Sequence, residues 1–231
     1  MMEAIVLAGG FGTRLKAVVA DVPKPMAPVA GKPFLEILLT AMAAKGFTRV
    51  VLSLGHMAET IVTHFGDRFA GMDLVYAIED VPLGTGGAVR LACEQCQADH
   101  VFVFNGDTYL DLEVSEVEGL WQRNHAPIIV ARAVEDVSRY GSLSVDGRKV
   151  TGFAEKGAVG PGLINAGCYV LPAGSLAAFA SGKPFSLEND FLAPAVSANP
   201  FDVFVTEGHF IDIGIPADYA RAQNELKQVC Q

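Results

Sequence analysis

Long apolar runs are missing from this sequence. The first one, residues 4–8, follows an acidic Glu3 and stops at Gly9-Gly10, so no signal peptide is expected. Residues 157–182 carry no charge, but six glycines and two prolines interrupt them. A transmembrane helix needs about 20 mostly apolar residues in one run, so a soluble cytoplasmic protein with no membrane partner is expected. Cysteine is scarce as well. Four in 231 residues make no disulfide framework. Cys93-x-x-Cys96 has no second Cys or His pair at ligand spacing and falls in an expected helix, which fits ordinary thiols. His56, Glu59 and His64 do not make a His-Glu-x-x-His helix, so zinc is not expected. Basic side chains are outnumbered, 17 against 26, for a net charge of −9. That excess argues against nonspecific binding to nucleic acid or anionic lipid. No linker, repeat or charge run marks a domain boundary.

What is present is a core. Apolar residues make up 51% and charged residues 19% of the chain, so disorder is excluded and one domain can be filled. In the first half, short apolar runs at residues 4–8, 50–54, 74–78 and 101–104 alternate with helical patterns at 34–42, 58–65 and 86–96. The first of these helices ends at Gly46, a fitting C′ glycine. Strand–helix alternation predicts an α/β domain with a Rossmann-like, mainly parallel sheet flanked by helices. The wholly apolar run at 101–104 fits burial on both faces. The second half is less regular. Strands are expected at 128–133, 163–171, 203–205 and 210–213, a hairpin over 142–153 turning at Asp146-Gly147, and helices near 176–180, 187–196 and 217–229.

The negative charge is not evenly spread. Residues 1–32 hold Arg14, Lys16, Lys24 and Lys32 against Glu3 and Asp21, a local balance of +2, so the remainder sums to −11. A small basic pole on an acidic protein suits a compact polyphosphate. Within it, Leu7-Ala8-Gly9-Gly10-Phe11-Gly12-Thr13-Arg14-Leu15 begins where the first strand ends, and open α/β sheets bind ligands beyond the carboxyl ends of their strands. Its glycines let backbone N–H groups approach a phosphate, and Arg14 offers a permanently charged fork. A glycine turn with a surface arginine would look alike. The pattern is neither a Gly-Lys-Ser/Thr phosphate loop nor a Gly-x-Gly-x-x-Gly fingerprint. Pro23-Lys24-Pro25 holds a lysine between two stiff residues, either toward an anion or as a rigid surface loop.

Two aspartates end apolar strands, Asp107 after Asn105-Gly106 and Asp212 before Ile213-Gly214. A bare carboxylate there is costly unless paired or bound to metal, although aspartate also caps turns. Mg²⁺ takes one or two carboxylates, then water and substrate phosphates. Residues 79–87, from Glu79 through Gly84, Thr85 and Gly86, expose backbone donors against which a flat base can lie. Glu155, Lys156 and Asn165 are residue types suited to sugar hydroxyls and phosphate.

Together these segments resemble the sugar-1-phosphate nucleotidyltransferase family, from Ala4 to about Gln223, with a nucleotidyltransferase (GT-A-like) fold. Gly-Gly-Phe-Gly-Thr-Arg-Leu followed by Pro-Lys-Pro is the most specific part. Within the family the resemblance is greatest to D-glycero-α-D-manno-heptose 1-phosphate guanylyltransferases. It is carried by Pro82-Leu83-Gly84-Thr85-Gly86-Gly87-Ala88, Leu163-Ile164-Asn165-Ala166-Gly167, Phe185-Ser186-Leu187-Glu188 and Phe210-Ile211-Asp212-Ile213-Gly214-Ile215-Pro216. No C-terminal β-helix or acyltransferase extension is expected. The resemblance implies a nucleotide-binding portion over about 1–110 and a sugar-phosphate-binding portion over about 111–231. It implies that Leu7, Ala8, Gly9, Gly10, Gly12 and Thr13 bind the nucleotide, the loop from Gly9 holding its phosphates, with Arg14 on the leaving pyrophosphate and Lys24 on charge developing during transfer. Asp107 and Asp212 would hold Mg²⁺. Glu79, Gly84, Thr85 and Gly86 would face the base, and a carboxylate at Glu79 favours guanine, with two adjacent N–H donors, over uracil. Glu155 would hold sugar hydroxyls, Lys156 the sugar phosphate, and Gly141 and Asn165 would line the sugar pocket. The implied partners are a nucleoside triphosphate and a sugar 1-phosphate, with a homo-oligomer left open. Mannose-1-phosphate guanylyltransferase, N-acetylmuramate-1-phosphate uridylyltransferase and a metal-dependent glycosyltransferase are the competing readings.

Overall fold

A computed structural model describes residues 1–10, 12, 15, 19, 22–154, 159–199, 201–227 and 229. The chain begins with β1 (Glu3–Leu7), a single 3₁₀ turn at Lys24–Met26, two short strands β2 (Pro28–Val29) and β3 (Lys32–Pro33), and α1 (Phe34–Ala44). Then come β4 (Arg49–Leu54), α2 (Ala58–Phe65), β5 (Arg68–Phe69), β6 (Met72–Ile78), α3 (Gly84–Cys93), β7 (His100–Asn105), β8 (Thr108–Leu110) and α4 (Val114–Asn124). The second half holds β9 (Ile128–Val134), β10 (Ser142–Asp146), β11 (Lys149–Ala154), β12 (Gly162–Pro172), a π-helical segment Leu187–Leu192, α5 (Ala193–Ala198), β13 (Phe201–Thr206), β14 (Phe210–Asp212) and α6 (Pro216–Glu225).

The two-residue period of the strands decides the layers. Ala4, Val6, Val50, Leu52, Phe102 and Phe104 pack into one apolar cluster with α1, α2 and α4. Their neighbours Ile5, Val51, Val101 and Val103 face the other side, against α3, the π-helical segment and α5. Both faces are therefore buried, as the unbroken apolar runs require. Strands β6, β4, β1 and β7 are parallel and form the expected Rossmann-like half. The sheet has ten strands in the order β10-β11-β13-β9-β12-β7-β1-β4-β6-β5. The unbroken run of parallel pairs stops at β7, and parallel pairing recurs only between β9 and β13 among the described residues. Beyond that run, β12 is antiparallel to both β7 and β9, so the second half is mixed.

A third apolar cluster lies off the sheet. Phe34, Ile37, Tyr109, Ile211, Ile213, Tyr219 and Ala222 join α1, the small β8–β14 sheet and α6. This cluster fixes where β8 and β14 meet.

Some expected elements differ. The hairpin turns at Gly147-Arg148, because Asp146 pairs with Lys149 and a register shift falls between Ser144 and Val145. Residues 176–180 form successive i→i+3 turns, bounded by Gly174 and Gly182 at positive φ, rather than a helix. The third helix starts two residues earlier than expected and ends at Cys93, and the last helix ends at Glu225. Among the described residues no helix is long and apolar enough to cross a membrane.

Candidate active site

The site lies at the carboxyl ends of β1, β4 and β7, which backbone hydrogen bonds tie together. The Ala8 N–H donates to the Ser53 carbonyl at 2.9 Å, and the Gly106 N–H to the Leu7 carbonyl at 2.9 Å. Two glycines are required by this close approach. A Cβ at Gly106 would lie 2.6 Å from the Leu7 oxygen, and one at Gly9 3.0 Å from the Gly55 nitrogen. The result is a cleft of about 340 Å³, within the size range of small-molecule sites. Leu7, Ala8, Gly9 and Gly10 line it, with Glu79, Gly84, Thr85, Lys24 and Asp107 around them. Gly12, at φ +57°, packs on the Lys24 side chain, where a Cβ would lie 2.8 Å from Lys24 Cβ. Expected residues Thr13, Arg14, Glu155 and Lys156 lie outside the described residues.

Charge is concentrated at the cleft mouth. The Lys24 ammonium, its side chain only 9% exposed, is ion-paired with the Asp107 carboxylate. Asp107 leads into β8, and β14 pairs antiparallel with β8, setting Asp212 opposite Thr108. The Ile213 N–H donates to the Asp107 carbonyl at 2.9 Å, which locks the two segments together. Two aspartates distant in sequence thus share one corner. The Asp212 carboxyl is held above the usual aspartate range, first by burial and then by the Asp107 charge, although the Gly214 N–H donates to it at 2.6 Å. Asp218, buried in α6, adds further negative charge and is held by Arg139 and by Arg221 at 3.2 Å.

Two half-buried carboxylates that repel each other form a corner that a small divalent cation would relieve. Mg²⁺ needs only one or two such ligands when water and phosphates complete its shell. The described residues hold no group of three or more Asp, Glu, His or Cys side chains around one point, so an all-protein cage is not built here. The donor set fits a phosphate-bridging ion rather than a structural one.

On the other wall, Glu79 follows β6. Its Oε2 accepts from the Leu83 N–H at 2.8 Å, capping the loop into α3. Its Oε1 faces Gly9, where a Cβ would lie 3.6 Å away. Burial raises the carboxyl above its ordinary range. Thr85 offers its hydroxyl to the Leu187 N–H at 2.9 Å. Gly86 is not brought to the cleft. Its N–H donates to the Phe185 carbonyl at 2.9 Å, and a Cβ would lie 2.2 Å from the Phe185 ring. In this structure Gly86 packs against Phe185.

Gly141 and Asn165 come together, the Asn165 N–H reaching the Gly141 carbonyl at 3.4 Å. Asn165 begins a bulge in β12, and Gly167 within it lies against Asn105, a cleft residue. Sequence reasoning gave no role to Ser53 or Asn105, which line the cleft. Ser53 is wholly buried beneath the cleft with its hydroxyl unpartnered among the described residues. A serine inside an apolar strand was the available signal.

The Nucleotidyl transferase family profile matches residues 3–229. The chain is 38% identical over 230 residues to a D-glycero-α-D-manno-heptose 1-phosphate guanylyltransferase of Aneurinibacillus thermoaerophilus, covering 98% of this chain and 99% of that one. It is 32% identical to a mannose-1-phosphate guanylyltransferase of Mycobacterium tuberculosis, covering 97% of this chain and 64% of that one. Its structure resembles that of HddC from Yersinia pseudotuberculosis complexed with GMP-PN, with a TM-score of 0.87, 39% identity, and 98% and 100% of the two chains covered. A strand-end glycine loop, a lysine and a carboxylate pair are the parts expected for nucleotidyl transfer, and the chain belongs to the nucleotidyl transferase family.

Proposed function

We propose that this protein transfers GMP from GTP to D-glycero-α-D-manno-heptose 1-phosphate, releasing pyrophosphate and GDP-heptose. The observation that carries the reading is the Lys24–Asp107–Asp212 corner at the mouth of a glycine-floored cleft. The heptose and the guanine are supported by the relatives: the one from Aneurinibacillus is named for both, and HddC was solved with GMP-PN. The same reading divides the chain into nucleotide-binding residues of about 1–110 and sugar-phosphate-binding residues of about 111–231. It places the reaction in the cytoplasm, as a supply step for surface polysaccharide.

A sugar phosphate oxygen is already ionised near pH 7, so no protein nucleophile or general base is needed. The protein must hold two anions in line and offset the charge that builds at the α-phosphorus. Backbone N–H groups from Gly9 to Gly12 receive the triphosphate, and Arg14 and Lys24 meet the charge on the leaving pyrophosphate and the α-phosphate. Asp107 and Asp212 are the residues that would hold Mg²⁺, which when bound supplies further neutralisation of the phosphates. Glu79 accepts from guanine, while Gly84 and Thr85 form the wall behind the base. Lys156 receives the sugar phosphate, and Glu155 and Gly141 border the sugar.

The test is a matrix of four nucleoside triphosphates against heptose, mannose and N-acetylmuramate 1-phosphates, read by pyrophosphate release with Mg²⁺. GTP with the heptose phosphate is expected to give the highest kcat/KM. A higher value for mannose 1-phosphate or for UTP would replace the assignment, and sugar transfer without pyrophosphate would make it a glycosyltransferase.

A further inference from the structure

We infer that Glu188 is the side chain that accepts a hydroxyl hydrogen of the sugar, and that Asn165 is a positioning residue acting through Glu188. An asparagine amide has two N–H donors and one acceptor oxygen. Asn165 Oδ1 accepts from the Gly167 N–H at 3.0 Å, and because a backbone N–H can only donate, this bond fixes which way the amide faces. Asn165 Nδ2 then donates to the Tyr169 hydroxyl at 2.7 Å and to Glu188 Oε1 at 3.2 Å. Both donors are used inside the protein, so none is left for a ligand. The Tyr169 hydroxyl, on a side chain 1% exposed, also points at Glu188 Oε1, at 3.5 Å. The cluster converges on one carboxylate oxygen. Glu188 Oε2 takes no hydrogen bond from any described residue, and Glu188 itself is exposed.

The position of Glu188 is equally constrained. The preceding residue, Leu187, donates its N–H to Thr85 in the cleft wall, and Phe185 exchanges backbone hydrogen bonds with Leu83 and Gly86. From the other side, the Asn165–Gly167 bulge packs on Asn105 of the cleft. Glu188 therefore stands between the nucleotide cleft and the β12 bulge, held from both. A carboxylate there repels phosphate and attracts hydroxyl hydrogens, so it selects the polyol end of a sugar phosphate.

The inference rests on the nucleotidyl-transfer reading, so wild-type turnover of GTP with heptose 1-phosphate and with mannose 1-phosphate is measured first. No turnover with either would overturn that reading and this inference with it. Given turnover, Glu188→Gln and Glu188→Ala should each raise the KM for sugar phosphate by about 10–100-fold, the loss of one charge-assisted hydrogen bond, with the KM for GTP and the Tm unchanged. Asn165→Ala should raise the same KM, yet add less than about twofold in the Glu188→Ala background, because coupled residues are not additive. An unchanged sugar-phosphate KM in Glu188→Gln, or a rise matched by the KM for GTP and a fall in Tm, would overturn the inference alone. Monodeoxy mannose 1-phosphates give an independent readout. Wild type should penalise one deoxy position that Glu188→Gln does not, and equal penalties in both enzymes would also overturn it.

Discussion

Asp212→Asn should stabilise the metal-free protein while destroying its activity. Asp212 is half-buried beside Asp107, and both burial and that neighbouring charge disfavour its ionised form. Asparagine has nearly the same shape and keeps an acceptor for the Gly214 N–H, now at 2.6 Å. What changes is the charge. A carboxyl that titrates above its unfolded value makes the folded state bind the extra proton between the ordinary aspartate range and the raised one. Stability falls as pH climbs through that window and stays reduced above it. The substitution removes that cost. The raised position already includes the attraction to Lys24, so a net gain in stability is expected at pH 7, about 1.4 kcal/mol for each unit of displacement. In a chain of this length each kcal/mol is about 2–4 °C in Tm.

The assay is thermal unfolding in EDTA across pH, beside pyrophosphate release with Mg²⁺. The Tm gain should vanish below the ordinary aspartate range, where wild type is also neutral. Turnover should fall by two to three orders of magnitude or more, roughly what removing one preorganised charge contact to a transition state costs. Adding Mg²⁺ with GTP should raise the wild-type Tm by mass action and the variant's less. A lower Tm for Asp212→Asn in EDTA at pH 7 would refute the reasoning and make Asp212 a structural anchor.

Three other perturbations separate the parts of the site. Lys24→Met should cut kcat by about 10²–10³-fold, since it removes a charge opposite the phosphates, and a kcat within tenfold of wild type would remove Lys24 from the chemistry. Glu79→Gln keeps an acceptor for Leu83 but loses the negative charge. It should lower the GTP:UTP preference by at least about tenfold, within the roughly 10⁴-fold a buried mismatch can give, and an unchanged ratio would assign base choice to the backbone of Gly84 and Thr85. Because burial raises the Glu79 carboxyl, the KM for GTP should also begin to rise at a higher pH, on acidification, than an ordinary glutamate would give. Gly86→Ala would set a Cβ 2.2 Å from the Phe185 ring, which is stacked on Phe179 at 4.1 Å, so about 1–3 kcal/mol of stability should be lost. An unchanged Tm would show that this contact relaxes freely.

The parts legible in the sequence are those where one physical signal has one cause. Strands buried on both faces must be apolar throughout, so β1, β4 and β7 could be placed from composition alone. Helix α4 gave no such signal: only Val114, Val117 and Trp121 are buried, in a segment otherwise polar apart from Gly119 and the partly buried Leu120. Glycine was the most ambiguous letter. Gly9 and Gly86 sit in similar motifs, yet the first is open to the cleft and the second is closed by an aromatic ring. Asp107 and Asp212 could each be singled out as carboxylates at strand ends, but their meeting depends on the β8–β14 register. Asn165 was recognisable as polar in an apolar strand, whereas its use of both donors within the protein depends on Tyr169 and Glu188, which only the bulge brings near.

The change of direction at β12 explains how both halves serve one site. In the parallel half, loops that follow β1, β4, β6 and β7 all emerge at one edge of the sheet. Strand β12 runs against β7, with Cys168 opposite Phe104 and Pro172 opposite His100. Its early residues therefore lie at that same edge, which is why Asn165 and Gly167 stand beside Asn105. Strand β9 runs against β12, and β13 runs with β9, so the segments leaving β9 and β13 emerge there too. The first carries Arg139 and Gly141, and the second leads through β14 to Asp212. A wholly parallel sheet would have put the early residues of β12 at the opposite edge, away from Asp107. The mixed half is thus the arrangement that lets a strand's beginning, not only the loops after strands, contribute to a cleft at the carboxyl edge.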